Sequence, residues 1–125
     1  MNKYIIIDFD STFTQVEGLD ELARIALEGK PNQQEIVSKI EEITKLGMEG
    51  RLSFEQALEQ RIQFLSANKN DILKLVEFLE NKVSNSFSRN KKFLETYSEN
   101  ILIISSGFRE FIEPIVTKYG IKPEN

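Results

Sequence analysis

Two aspartates one residue apart close an apolar run: "YIIIDFDSTFT", Tyr4 to Thr14, carries three isoleucines into Asp8 and Asp10. Side chains alternate along a strand, which predicts Asp8 and Asp10 on one side. They stand at the carboxyl end of the strand, where open parallel sheets bind ligands. Carboxylates that close repel, and the repulsion raises a pKa or recruits a cation. A hard cation such as Mg²⁺ takes oxygen ligands and shares them with substrate phosphate. One aspartate can then attack phosphorus while the other moves the proton. A bare D-x-D more often only caps a turn through its side chains. Ser11 and Thr12 shift the balance, because they add hydroxyls and backbone N–H groups that can cradle an anion.

Composition narrows the chemistry further. The 125 residues make one ordinary domain with a real core, 40% apolar and with a formal charge of -4. No basic stripe points to nucleic acid, and no apolar run approaches the roughly 18 residues that span a bilayer. Met1 leads directly into a strand-like segment, so neither signal nor transit peptide is expected. Without cysteine there is no disulfide framework, and the expected location is the cytoplasm. Histidine is absent too, which excludes a Ser-His-Asp triad, histidine-ligated zinc and a phosphohistidine. Chemistry must come from carboxylates, hydroxyls, Lys, Arg and oxygen-bound metal.

The elements that would position these groups can be read from periodicity. Strands are expected near residues 3–8 and 100–105, each a short continuous apolar run of the kind buried on both faces. Helices are expected over 19–28, stopped by Gly29 and Pro31, over 33–48, and over 53–66 with Ser53 and Gln56 in capping-box spacing. Further helices are expected over 71–83, 90–97 and 108–119, with Pro114 kinking the last or delaying its start. "SNSFS", Ser84 to Ser88, is the nearest thing to a boundary. Residues 14–85 thus form a helical insertion after the first strand, and two strands alone leave open sheet edges.

The blocks resemble a known family. "DFDST" after a hydrophobic strand is similar to the first motif, D-x-D-x-T, of the haloacid dehalogenase-like (HAD) phosphatases. "EGLDELA" from Glu17 and "GMEGRLSFEQALEQRI" from Gly47 resemble phosphoserine phosphatases in particular, and "ILIISSGF" resembles their second motif. The resemblance implies an α/β fold: an incomplete HAD-type, Rossmann-like core over 1–13 and 86–125, with a helical cap over 14–85 as substrate lid. It implies hydrolysis of a phosphomonoester such as O-phosphoserine to serine, dependent on Mg²⁺. Asp8 would be the nucleophile, and Asp10 the acid that protonates the leaving oxygen and then the base that activates water. The Asp8 carboxylate and the Asp10 carbonyl would hold Mg²⁺, with Ser11, Thr12 and Ser105 around the phosphate.

Phosphoserine also carries an ammonium and a carboxylate. Arg61 lies on an expected ridge with Phe54, Leu58 and Leu65, where an arginine needs an anionic partner or must reach out to water. A glutamate from a neighbouring helix and a substrate carboxylate fit that need equally; the resemblance favours the carboxylate. It likewise sets Glu17 against the ammonium and closes Met48 and Phe54 over the ligand, although both apolar residues also suit plain core packing. Ser105, Ser106 and Gly107 would border the substrate. Ser106 stands where the family has glycine, so it would crowd the substrate or take a backbone angle that serine disfavours.

The family's third and fourth motifs, a lysine and a Gly-Asp-Gly-x-x-Asp segment, have no counterpart before Asn125. Lys118 and Lys122 fall late on, or beyond, the last helix and do not replace that lysine. The expectation is an N-terminal part of a phosphatase, without turnover on its own. Two other classes remain. A receiver-type phospho-acceptor needs its aspartate at a mid-chain strand, which a helical 14–85 does not provide. A non-catalytic ligand-binding module, dimerising through its open sheet edges, meets no such obstacle.

Overall fold

The computed structural model describes residues 2–125. Two compact units share the chain: Met1–Gly18 with Leu75–Asn125, and Leu19–Lys74. The first holds two parallel strands, β1 (Ile5–Asp8) and β2 (Ile101–Ile104), in the register Ile5 to Ile101 through Asp8 to Ile104. Both lie within the expected segments. Their burial differs from expectation, since of these eight residues only Ile7 and Ile101 are buried. Ile6 is 63% and Ile104 58% exposed, because two strands with no further layer leave apolar faces open. On β2 the Ile103 N–H donates to the Asn125 carbonyl, 2.8 Å away.

The core of this unit is aromatic. Phe9, Phe13 and Phe111 are fully buried. Phe13 stacks on Phe87 at 4.8 Å and meets the edge of Tyr119 at 5.2 Å. The segment after the aspartates is tied to the one that returns from the helical block. Thr14 bridges antiparallel to Val83, Gln15 N–H donates to the Lys82 carbonyl, and the Ser84 hydroxyl donates to the Thr12 carbonyl.

Seven helices of five or more residues follow one another among the described residues. They are α1 (Gly18–Ala26), α2 (Gln33–Met48), α3 (Phe54–Phe64), α4 (Lys69–Glu80), α5 (Asn85–Arg89), α6 (Lys91–Thr96) and α7 (Arg109–Val116). The α2 range matches its periodicity. At α3 the Ser53 hydroxyl accepts from Gln56 N–H and the Gln56 side chain accepts from Ser53 N–H, so the capping box closes. α4 starts two residues earlier than expected, because Asn68 and Asp71 cap each other in the same reciprocal way. It also ends earlier, and Val83 is extended instead. Most of "SNSFS" forms α5. α7 runs through Pro114 without delay and closes in a single tight turn, Thr117–Tyr119, before Gly120. No helix among the described residues is long and apolar enough to cross a membrane.

In the helical unit, α2 and α3 approach closely at Gly47. A Cβ there would stand 3.1 Å from the Ala57 Cβ. The buried residues of α3 are Ala57 and Arg61, one turn apart. Of the expected ridge, Arg61 is buried and Leu58 and Leu65 are half-buried, while Phe54 is exposed. Packing against Gly47 selects the small Ala57, and Phe54, Ile62 and Phe64 turn outward.

Candidate active site

β1 ends at Asp8, and the chain then makes one wide turn over Phe9–Phe13. The Thr14 N–H closes it on the Phe9 carbonyl at 3.1 Å, while the two buried phenylalanines anchor it. Asp10 is extended, and Ser11, at φ 56°, takes the left-handed conformation. The strand's two-residue alternation consequently stops before Asp10, and the two aspartates meet different surroundings. Asp8 is exposed, and its carboxylate has no hydrogen-bond or ion-pair partner among the described residues. Asp10 is only 9% exposed. Its Oδ1 accepts the Gly18 N–H at 2.7 Å, and its Oδ2 accepts the Ser105 hydroxyl at 2.9 Å. The Ser105 oxygen in turn accepts the Gly107 N–H at 2.9 Å.

Two glycines thus supply the N–H groups that hold Asp10, one directly and one through Ser105. Both lie against the same edge of the Phe111 ring. A Cβ on Gly18 would come within 2.6 Å of it, and one on Gly107 within 2.8 Å. Neither Gly18 nor Phe111 stood out in the sequence as part of the site. A glycine at the start of a helix, eight residues after an aspartate, offers no signal by its type alone.

Both donors of Ser11 are engaged inside the loop, its N–H on the Val16 carbonyl at 3.0 Å and its hydroxyl on Glu17 Oε1 at 2.7 Å. Thr12 is exposed. Ser106 is half-buried and needs no disfavoured backbone angle, since Ser11 is the one non-glycine residue with positive φ among the described residues. Lys118 and Lys122 are ion-paired, with Glu80 and Glu99 respectively. A cleft of about 340 Å³ opens beside Ser105 and Gly107, bordered by Arg109 of α7 and by Lys122. Among the described residues no three carboxylates gather as a metal cluster.

The helical unit carries the other expected residues. Arg61 is 7% exposed. Its Nε donates to the Ala57 carbonyl at 3.3 Å and its Nη1 to the Thr44 hydroxyl at 3.4 Å. The single Thr44 O–H has two acceptors in reach, Asp20 Oδ1 at 2.8 Å and the Ile40 carbonyl at 3.1 Å, the carboxylate being the nearer. Burial pushes the Asp20 carboxyl above its ordinary value. The Thr44 hydroxyl and the Arg61 and Arg24 charges work against the rise, and Glu21 adds to it. Met48 and Phe54 are 67% and 59% exposed, so neither packs in the core. Asp20 and Thr44 were legible in principle, as polar residues on the otherwise apolar stripes of Leu19, Leu22 and Ala23 and of Val37, Ile40 and Ile43.

No family model matches the chain. It is 34% identical, over 122 residues, to a phosphoserine phosphatase of Campylobacter jejuni subsp. doylei, covering 97% of this chain and 54% of that protein. Its fold matches a phosphoserine phosphohydrolase-like protein from Francisella tularensis with a TM-score of 0.84 at 31% identity, over 98% of this chain and 56% of the other. A phosphoserine phosphatase solved as a phospho-aspartyl intermediate analogue matches with a TM-score of 0.74 at 28% identity, over 96% and 53%. By sequence and by fold the chain is thus similar to phosphoserine phosphatases along almost its whole length, and spans about half the length of the relatives it matches.

Proposed function

We propose that this chain carries the nucleophile and the acid–base residue of a phosphoserine-type phosphomonoester hydrolase. The observation that supports it best is the contrast at "DFDST": an exposed, unpartnered Asp8 beside an Asp10 held at both oxygens. An Asp8 oxygen attacks phosphorus, forming the Asp8–phosphoryl bond as the bond from phosphorus to the serine oxygen breaks. Asp10 gives its proton to that leaving oxygen. Water then attacks phosphorus, Asp10 takes the water's proton, and the bond to Asp8 breaks to release phosphate. Of the two hydrogen bonds on Asp10, the one from Ser105 can be exchanged, because a hydroxyl rotates and the Gly18 N–H does not. Freed from Asp10, the Ser105 hydroxyl can donate to a phosphoryl oxygen, with Thr12 a second donor.

A divalent cation such as Mg²⁺ fits the donors present. The Asp8 carboxylate and the Asp10 carbonyl would hold it, since such an ion needs only one or two carboxylates beside phosphate and water. When bound it offsets charge on the phosphoryl oxygens. The helical unit, as a lid, would contribute Arg61 toward the substrate carboxylate, with Met48 and Phe54 covering the ligand and Glu17 facing the ammonium. The reading places the protein in the cytoplasm.

The test uses the longest natural polypeptide that contains this sequence. Phosphate release from O-phospho-L-serine should need Mg²⁺, and Asp8→Asn should abolish it while leaving the helical circular dichroism unchanged. Release that survives Asp8→Asn, or an absence of release from any phosphomonoester tried, would overturn the proposal.

A further inference from the structure

Arg61 is a buried cation, and a buried cation without a counter-charge is strongly destabilising. Among the described residues no carboxylate lies within ion-pair distance of its guanidinium. The glutamate partner weighed from the sequence is therefore missing, and the nearest compensation is Asp20, which acts through the Thr44 hydroxyl. Arg24, the other cation near Asp20, is already paired with Glu21 and Glu41.

The geometry of this relay is one-sided. Nε and Nη1 are engaged, on the Ala57 carbonyl and on Thr44. Nη2 has no hydrogen-bond partner, yet no side-chain nitrogen among the described residues is both fully buried and unpaired. Nη2 must consequently reach the surface. The guanidinium is held through Nε and Nη1 and keeps its Nη2 donors for an incoming anion. Long side chains lose rotamer freedom when they bind, so holding Arg61 beforehand strengthens any anion it meets.

We infer that Asp20, through Thr44, is a positioning residue that presents Arg61 to the substrate carboxylate, and so sets the preference for phosphorylated amino acids over phosphorylated alcohols and amines. The inference rests on the phosphoserine reading above. Asp20 supplies a counter-charge that keeps the guanidinium in the helical unit, but stands too far from it to neutralise it as a direct ion pair would.

Titration of the longest natural polypeptide that contains this sequence, isotope-labelled, with O-phospho-L-serine and with O-phosphoethanolamine, which lacks the carboxylate, tests it. Wild type should bind the first more tightly. Asp20→Asn, which keeps an acceptor for Thr44 but removes the charge, should reduce that preference on the order of tenfold, with affinity for phosphoethanolamine unchanged. The Arg61 Nε–H resonance should lose its protection from exchange at the same time. Should Asp20→Asn fail to fold, Thr44→Val takes its place, and Thr44→Ser, which restores the hydroxyl, should restore the preference. A preference that persists in Asp20→Asn and Thr44→Val overturns the positioning role alone. No preference in wild type overturns the phosphoserine reading, and this inference with it.

Discussion

Replacing Gly18 with alanine should weaken the fold around Asp10 without altering any charge. The added Cβ would lie 2.6 Å from Phe111 Cε2, 2.9 Å from its Cζ and 3.1 Å from Asp10 Oδ1. The first two distances are shorter than carbon contacts allow, so the ring or the start of α1 must shift. Phe111 is fully buried against Phe9 and Phe108, which leaves it little room to retreat. Overpacking of this kind costs about 1–3 kcal/mol. Alanine's better helix propensity returns at most about 1 kcal/mol, and less at the first helical position. The expected balance is a loss of about 1–2 kcal/mol, seen in urea unfolding as a lower midpoint with an unchanged slope. Gly107→Ala presses on the same ring edge, with its Cβ 2.8 Å from Phe111 Cζ. The two substitutions should therefore not add, because a ring displaced by one is already displaced for the other. A Gly18→Ala protein as stable as wild type would refute this account of how the turn is held.

Ser105→Ala removes the partner of both Asp10 Oδ2 and Gly107 N–H. It should lower stability by about 1–2 kcal/mol in a thermal melt, and an unchanged melt would contradict the bonding described. The raised Asp20 pKa has a definite sign. The folded state keeps a proton there that the unfolded state, at the ordinary value of 3.8, has already lost. That contribution to stability is fully present below the unfolded value and is lost as pH rises through the folded one. The difference in unfolding free energy between wild type and Asp20→Asn should accordingly grow in wild type's favour as pH falls from neutral toward that range. A flat difference across it would remove burial as the dominant influence on Asp20, set as this residue is among Thr44 of α2, Arg61 of α3, and Arg24 and Glu21 of α1.

Where local chemistry decides an element, the sequence was readable. Ser53 and Gln56 cap α3 because their spacing lets two side chains satisfy two backbone N–H groups, whatever the rest of the chain does. The same logic was available at Asn68 and Asp71 and would have placed the start of α4. Packing was not readable in this way. Periodicity puts Phe54, Leu58, Arg61 and Leu65 on one ridge, but contact with Gly47 turns the flanking Ala57 inward beside Arg61 and leaves Phe54 exposed. The two strands show the same limit. Continuous isoleucine runs mark a strand that could be buried on both faces, whereas burial itself depends on layers these residues do not contain.

The pair "DFD" carries the sharpest form of this difference. By spacing alone Asp8 and Asp10 are equivalent carboxylates on one face, and repulsion between them would be the only source of distinct chemistry. The turn makes them unlike by another route. Ending the strand at Asp8 leaves that side chain exposed and uncommitted, as its proposed role of nucleophile requires. Burying Phe9 and Phe13 swings Asp10 inward, onto an N–H of α1 and a hydroxyl at the end of β2. Asp10 is then oriented by two elements far apart in sequence, and one of its two partners can rotate away. The acid–base role proposed for Asp10, delivering a proton and later retrieving one, needs that combination of fixed direction and exchangeable contact. Phe9, the residue between the two aspartates, is therefore what gives them different surroundings: its burial turns the chain.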